Sequence, residues 1–435
     1  MRTRRAADVG EAGSFMRAGS NLPAVGGYNY AVILDAVRHA VDGVSRIEVA
    51  KNTGLSAQTV TNIVRRLMDE GLVVEDGTRV NGVGKPRTIL RLAPRARFAI
   101  GIHLDPSVVT LVLLDLAGEV VARRELLTAS TARAEETVER IAAAIPAMLK
   151  KQRIEPGRVL GAGVAAPGPI DVTHGIVLDP PLLPGWRNVP VRSVLSDRLG
   201  MPVLLEKDVT AAVIAELWLD STGASDDIVF FYAGTGVGAG LAIGGEAIRG
   251  SSGNAGGIGW LDTMRFDGVS HPTTWPVGDA LRAPFLIGQA IIHGLLPGDP
   301  SELVNGDASG MAITELRSAL ADLMMLRDDP RAKGLFTLMF DGIADAIVRL
   351  VNLLDVDRVV FGGPFIAPIG QVLLEVLPGR VRASVRASVP HDIEFVISSA
   401  GEAVAARGAA CLVLDDTLSP KPQDMLIRRP VTAAR

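Results

Sequence analysis

Residues 44–92 read VSRIEVAKNTGLSAQTVTNIVRRLMDEGLVVEDGTRVNGVGKPRTILRL, and this stretch decides how the N-terminal part of the chain folds. Ser45 followed by Glu48 has the spacing of a capping box, in which each side chain satisfies an orphan backbone donor of the other, so a helix should begin there. Gly54 permits a tight turn. Ser56 then caps a second helix whose apolar residues Val60, Ile63, Val64 and Leu67 follow helical spacing. The opposite face carries Gln58, Thr61, Asn62 and Arg65, with Ser56 and Thr59 at its start, side chains suited to hydrogen-bonding base edges or phosphates in a major groove. Gly71 ends the helix, and residues 72–74 and 88–90 read as paired strands. Their tip, GVGKPR at 82–87, puts Lys85 and Arg87 on a loop stiffened by Pro86. Such a basic hairpin is a wing able to press cations against a phosphate backbone or minor groove. The competing interpretation is a small helical domain with an ordinary charged face. The order helix, turn, helix, basic hairpin argues for the DNA-reading one.

The 435 residues leave room for two or three domains. The single cysteine, Cys411, excludes an intramolecular disulfide and a multi-cysteine zinc site and fits a reducing compartment, so the expected location is cytoplasmic. The N-terminus, MRTRRAADVGEAGS, is basic but lacks an apolar core of signal-peptide length. No later run has the length and apolarity of a bilayer span, so no membrane association is expected. Charge is asymmetric: 13 Lys+Arg stand against 9 Asp+Glu through Pro94, and 31 against 39 beyond it. The basic part holds the helix-turn-helix, as suits a nucleic-acid module joined to an acidic body.

Taken in order, residues 1–27 read as a flexible tail, in which Arg2, Arg4 and Arg5 either touch DNA phosphates or belong to an unstructured end. Residues 30–41, with Ile33, Ala36, Val37, Ala40 and Val41 apolar, give a first helix that completes a winged helix-turn-helix domain at 28–92. A short hinge at 93–95 follows. The pattern then changes to α/β. Residues 98–104, 108–115 and 119–126 read as an antiparallel meander, 134–152 as a helix kinked at Pro146, and 159–164 as a buried strand. Strands and helices alternate onward through 203–205, 210–218 and 227–232, which argues for a sheet with both faces covered. The glycine string at 234–240 either brings backbone amides close to a phosphate or makes a plain hairpin turn. A helix at 335–354, a strand at 358–361 and a helix rich in small residues at 401–414 come next, and 415–435 is read as a C-terminal tail, polar from Pro420.

This combination resembles the ROK family of repressors, open reading frames and sugar kinases, specifically its winged-helix repressor branch. The resemblance is carried by the helix-turn-helix with its GVGKPR wing, by GVAAPGP at 163–169, LPGWRNVP at 183–190, Glu206-Lys207-Asp208, the glycine loop at 234–240, GNAG at 253–256, Gly362-Gly363 and Gly401-Glu402. It implies a two-lobed actin-like domain of ribonuclease H-like, sugar-kinase type at 95–414, with lobe one about 95–208 plus the C-terminal helix and lobe two about 209–400. Departures from the family pattern are informative. Kinase members open this domain with an Asp-x-Gly-Gly-Thr-Lys type loop that holds ATP phosphates, whereas the corresponding residues here are His103-Leu104-Asp105-Pro106-Ser107-Val108. An aspartate and a proline replace amide donors and a flexible turn. Asp208 matches the family's catalytic base, but phosphoryl transfer depends on positioning and charge neutralisation that this loop does not offer. No kinase activity, catalytic residue or cofactor is therefore expected.

The family's sugar-binding segment Gly-Asn-Ala-Gly-Glu-Ile-Gly-His reads GNAGGIGW, so Gly257 and Trp260 replace two hydroxyl-binding side chains, and Lys207 stands where an asparagine usually precedes the aspartate. Trp260 either stacks on an apolar sugar face or belongs to the core. Lys207 either pairs an anionic effector or pairs Asp208, which is itself a ligand acceptor or a structural carboxylate. Asp208, Lys207, Asn188, Asn254 and Trp260 are the candidate effector-binding residues. The family's cysteine-rich zinc site has no counterpart between residues 263 and 284, where only His271 remains, and no metal is expected. The resulting expectation is a DNA-binding regulator, a repressor, acting on operator DNA as a homodimer or dimer of dimers and answering a sugar or sugar derivative. The alternative is a sugar kinase with an accessory DNA module.

Overall fold

Capping chemistry sets the helices of the N-terminal unit. The computed structural model describes residues 22–79, 86–127, 133–183, 185–219, 226–265, 273–299, 303, 313–385 and 389–419, and these divide into one unit made of the residues up to Leu92 together with those from Leu418 on, and another spanning Ala93–Thr417. The first unit runs α1 (Leu22–Arg38), β1 (Val44–Ser45), α2 (Arg46–Thr53), α3 (Ala57–Asp69), β2 (Val73–Arg79) and β3 (Arg87–Leu92). Ser45 caps α2 through a complete capping box: its N–H donates to Glu48 Oε2 at 2.8 Å while the Glu48 N–H donates to Ser45 Oγ at 3.3 Å. Two orphan donors are thereby satisfied. The Ser45 N–H and the Ser45 hydroxyl, which also donates to Glu48 Oε2 at 2.8 Å, together hold the Glu48 carboxyl below its usual range. Gly54 ends α2 in the left-handed region at φ 71°, which costs a residue without Cβ nothing, and Ser56 caps α3 by accepting the Thr59 N–H at 3.1 Å. Replacing Ser45 with alanine should cost this unit about 1 kcal/mol, read as a lowered urea midpoint for its transition in the full chain.

Two boundaries differ from the sequence expectation. Helix α1 begins at Leu22, inside the region read as a tail, and ends at Arg38. A proline in the first turn of a helix loses no hydrogen bond, and the poor helix formers Gly26 and Gly27 conceal that start in the sequence. The chain then turns through Ala40 and Gly43 (Gly43 N–H to Ala40 O, 2.7 Å), which leaves Val41 72% exposed instead of packed. Ile33, Leu34 and Val37 of α1 are buried with Val49, Val60, Val64 and Leu67, and the three-stranded antiparallel sheet, ordered β1-β3-β2, closes this core with Leu90. Strand β2 extends past residue 74, with a register shift between Glu75 and Thr78. Lys85 and the rest of 80–85 lie outside the described residues.

In the second unit, β4 (Phe98–Leu104), β5 (Val108–Asp115) and β6 (Val120–Leu127) form the expected meander, and β4 and β5 are buried along their whole length. Helix α4 (Ala134–Gln152) leads to β7 (Val159–Ala166), followed by a small hairpin of β8 (Ile170–Asp171) and β9 (Ile176–Val177), then α5 (Val191–Leu199) and β10 (Val203–Lys207). The sheet order is β10-β7-β4-β5-β6, with β10 and β7 parallel to β4. Parallel strands need covered faces. One face packs on α4 and α5 through Val138, Ile141, Ile145 and Leu195.

Helix α6 (Asp208–Leu219) carries the chain to a second sheet: β11 (Ile228–Ala233), β12 (Val237–Ile243) and β13 (Glu246–Ala247). The chain continues through β14 (Asp262–Arg265), β15 (Thr273–Pro276), α7 (Val277–Ala280), α8 (Ala283–Ile292), α9 (Ile313–Met325), α10 (Lys333–Leu354), β16 (Arg358–Gly362), α11 (Ile366–Ser384) and β17 (Glu394–Ile397), giving the order β13-β12-β11-β16-β17. Finally α12 (Val404–Leu418) returns to the first sheet and runs past residue 414, where a tail was expected, because Leu414 and Leu418 still have apolar surface to bury. Its approach is possible because Gly101 and Gly163 have no Cβ: one added there would lie 1.8 Å from Ala406 O and 1.9 Å from Ala409 O. Among the described residues no helix is long and apolar enough to cross a membrane.

Candidate functional site

Helix α3 presents two faces offset by two residues. Val60, Val64 and Leu67 are buried, while Gln58, Asn62 and Arg65, with the same i, i+4, i+7 spacing, are exposed together. Gln58 Nε2 donates to Asn62 Oδ1 at 3.2 Å, which orders two amides side by side on the solvent face. Of the other residues read as DNA-binding, Ser56 and Thr59 share a hydroxyl hydrogen bond at 2.9 Å in the cap, and Thr61 donates to Ala57 O at 2.8 Å. Their hydroxyls serve the helix. Neighbouring Arg66 differs from Arg65, since its guanidinium lies 4.6 Å over the Tyr30 ring and bonds Glu70 at 2.9 Å. At the base of the wing Arg87 is paired in register with Arg79, a cation that sequence reading did not single out. Cross-strand register alone reveals it.

The second feature is a cavity of about 540 Å³ between the two sheets of the larger unit, a size suited to a small molecule. Four of the five candidate effector residues line it: Lys207 at the end of β10, Asp208 at the start of α6, Asn254, and Trp260, which is 79% exposed and so is not core. Asn188 does not line it. It occupies a left-handed turn at φ 53°, exposed, with its N–H on Leu178 O at 2.7 Å, because Val189 pairs back on Val177 of β9 (Val177 N–H to Val189 O, 2.9 Å).

Lys207 and Asn254 fasten the 249–256 loop of the second lobe onto the first. The Lys207 ammonium donates to the carbonyls of Asn254 (3.0 Å) and Ala255 (2.8 Å), and the Asn254 amide exchanges two 2.8 Å hydrogen bonds with the Ile170 backbone. Arg249 adds an ion pair to buried Glu206 at 2.6 Å. Burial holds the Lys207 ammonium below its usual pKa, opposed by the charge of Asp208. Asp208 lines the cavity beside Lys207. Burial pushes its carboxyl up, opposed chiefly by the charges of His103 and Lys207, and its Oδ1 accepts its helix neighbour's N–H, from Val209 at 2.8 Å. Burial, reinforced by the charges of Asp208 and Asp105, raises the Tyr232 hydroxyl well above its usual range and keeps it a donor.

The glycine string resolves as the tight β11–β12 hairpin, with Gly234 N–H on Gly236 O at 2.9 Å. Its Thr235 hydroxyl donates to Asp105 Oδ1 at 2.9 Å, and the Ser107 N–H donates to the same oxygen at 2.9 Å. Beside them His103 Nε2 lies 3.5 Å from the Tyr232 hydroxyl. Asp105, Tyr232 and the prolines 167, 169, 180 and 181 of the cavity lining, and Thr235 bonded to Asp105, were not among the candidates from sequence. An aspartate replacing a glycine in the 103–108 turn was the signal available for the first.

Residues 99–272 match the ROK family, and residues 42–74 match a winged helix-turn-helix DNA-binding domain. The chain is 30% identical over 216 residues to the xylose repressor of Caldicellulosiruptor bescii, a match covering 50% of this chain and 54% of that protein. It is 24% identical over 320 residues to a glucokinase of Halalkalibacterium halodurans, covering 73% of this chain and 95% of the enzyme. Among solved structures, that of a ROK family transcriptional regulator, a homolog of the E. coli MLC protein, superposes with a TM-score of 0.69 at 20% identity over 91% of this chain and 98% of that one.

Proposed function

We propose that this chain, which belongs to the ROK family and carries a winged helix-turn-helix DNA-binding domain ahead of the family domain, is a transcriptional repressor whose cleft binds a sugar-type effector. The observation that carries the reading is α3: Ser56 caps it, Gln58, Asn62 and Arg65 share one exposed face, and Arg79 and Arg87 pair in register on the strands that follow. The similarity to a xylose repressor supports both a repressor and a pentose or related sugar as ligand. Asp208 accepts a ligand hydroxyl, Tyr232 donates to one, and Trp260 covers an apolar sugar face. The protein acts in the cytoplasm as a homodimer, whose two recognition helices must match successive major grooves, so a modest effector-driven rotation abolishes the match.

Operator binding is tested by mobility shift with DNA flanking the coding sequence. Lys85→Ala and Arg87→Ala should weaken binding to operator and random DNA alike, and each should reduce the slope of log K against log salt by about 1. An unchanged slope would remove the wing from the interface.

A sugar kinase remains the second reading because of Asp208 and the kinship with a glucokinase. The 103–108 turn speaks against it: Pro106 removes an amide donor and Asp105 adds a negative charge where polyphosphate needs neutralisation. An ATP-consumption assay against a panel of pentoses and hexoses should show no turnover above the protein-free blank, and sustained turnover with any sugar would reverse the order of the two readings.

A further inference from the structure

The 104–108 turn belongs to the first lobe and the 233–237 turn to the second, and they meet on one side chain. Asp105 is buried, its Oδ1 accepts a backbone N–H from its own turn and a hydroxyl from the opposite lobe, both at 2.9 Å, and it lines the inner wall of the cavity with Asp208 and Gly236. Two donors from two turns converging on one oxygen make a seat for an anion, and here the chain fills the seat itself. We propose that Asp105 is a resident anion that determines specificity: it occupies the place a ligand's phosphate would take, and it restricts the cleft to effectors that are uncharged at this inner end.

A tethered carboxylate competes at an effective concentration that a free metabolite does not reach. A second anion would also meet the charge of Asp105 in a buried, poorly screened setting. Lys207 offsets this in part through its charge on Asp208, while its ammonium donates to the carbonyls of Asn254 and Ala255. Arg282 brings another cation to the cavity wall, which is why a phosphorylated sugar belongs in the test. The word effector rests on the repressor reading above. The anion seat does not.

The test is thermal denaturation of the full chain in increasing inorganic phosphate, with sodium chloride at matched ionic strength as the reference, for the wild type, Asp105→Ala and Asp105→Asn. The wild type should show no phosphate-specific shift. Asp105→Ala, with the seat vacated, should show a saturable rise with an apparent Kd at least tenfold below any wild-type value. Asp105→Asn, which keeps the shape without the charge, should bind at least threefold more tightly than the wild type and decides the matter if the alanine variant does not fold. The proposal is overturned if neither variant binds phosphate better than the wild type, or if the wild type saturates in the same range. A parallel pair on the wild type, glucose against glucose 6-phosphate, reads selectivity: a shift with the phosphate ester alone overturns it, and a shift with the free sugar alone supports it. Silence from both sugars counts against these sugars as effectors, while the phosphate series still decides the role of Asp105.

Discussion

Substituting Gly163 with alanine should destabilise the larger unit by about 3 kcal/mol or more, the range of severe overpacking. The added methyl would sit 1.9 Å from the carbonyl oxygen of Ala409 and 2.6 Å from its carbon, so it meets backbone and not the far end of a flexible side chain. Relief requires moving α12 off the first sheet. That helix is also held by Gly408, whose own absent side chain lets it lie against the Ala211 carbonyl of α6, so a shift at one crossing strains the other. Gly157 is the control. It is exposed, a methyl added there would find nothing within 4 Å, and Gly157→Ala should leave the thermal midpoint within about 1 °C. Equal stability of the two variants would mean that α12 packs elsewhere.

The same crossing shows what a sequence reveals and what it withholds. The small residues of 401–414 announced a closely packed helix, because Gly and Ala at such density suit close approach. Their partners Gly101 and Gly163 looked like ordinary strand glycines, since nothing in local periodicity states which backbone lies opposite. Caps and spacing were legible for a related reason: Ser45, Glu48, Gly54 and Ser56 act on neighbours within four residues, and the structure reproduces each interaction. The start of α1 at Leu22 is not legible, because Gly26 and Gly27 are poor helix formers and no apolar spacing runs ahead of them.

The cleft divides along the same line. Lys207, Asp208, Asn254 and Trp260 were found through family motifs and do line one cavity. What Lys207 and Asn254 bind there is the 249–256 loop and the Ile170 backbone, contacts more than forty residues distant that no motif encodes. Asn188 was carried by its motif alone, and the left-handed turn it occupies points to backbone geometry as the reason for an asparagine at that place. The bond from Thr235 to Asp105 joins two turns 130 residues apart, so an unusual aspartate was visible in the sequence but its partner was not.

Gln58→Ala and Arg65→Ala should each weaken specific operator binding by about 1–3 kcal/mol, roughly fivefold to 150-fold, with the double variant approaching the affinity for random DNA. The argument is one of register. Gln58, Asn62 and Arg65 share an exposed face at 3.6-residue periodicity, opposite Val60, Val64 and Leu67, so any docking that buries the polar face brings all three to the groove floor together. Gln58 is ordered by its 3.2 Å bond to Asn62, which reduces the entropy lost when a planar amide meets an adenine edge. Arg66, one residue on, supplies the control within the same helix. Its guanidinium is committed to the Tyr30 ring and Glu70, so Arg66→Ala should leave the ratio of operator to random-DNA affinity intact. Fluorescence anisotropy with both DNAs at two salt concentrations separates the cases, because loss of a base contact lowers the affinity ratio whereas loss of a phosphate contact lowers the salt slope. Operator affinities within twofold of wild type for both Gln58→Ala and Arg65→Ala would place the reading surface on another face of the domain.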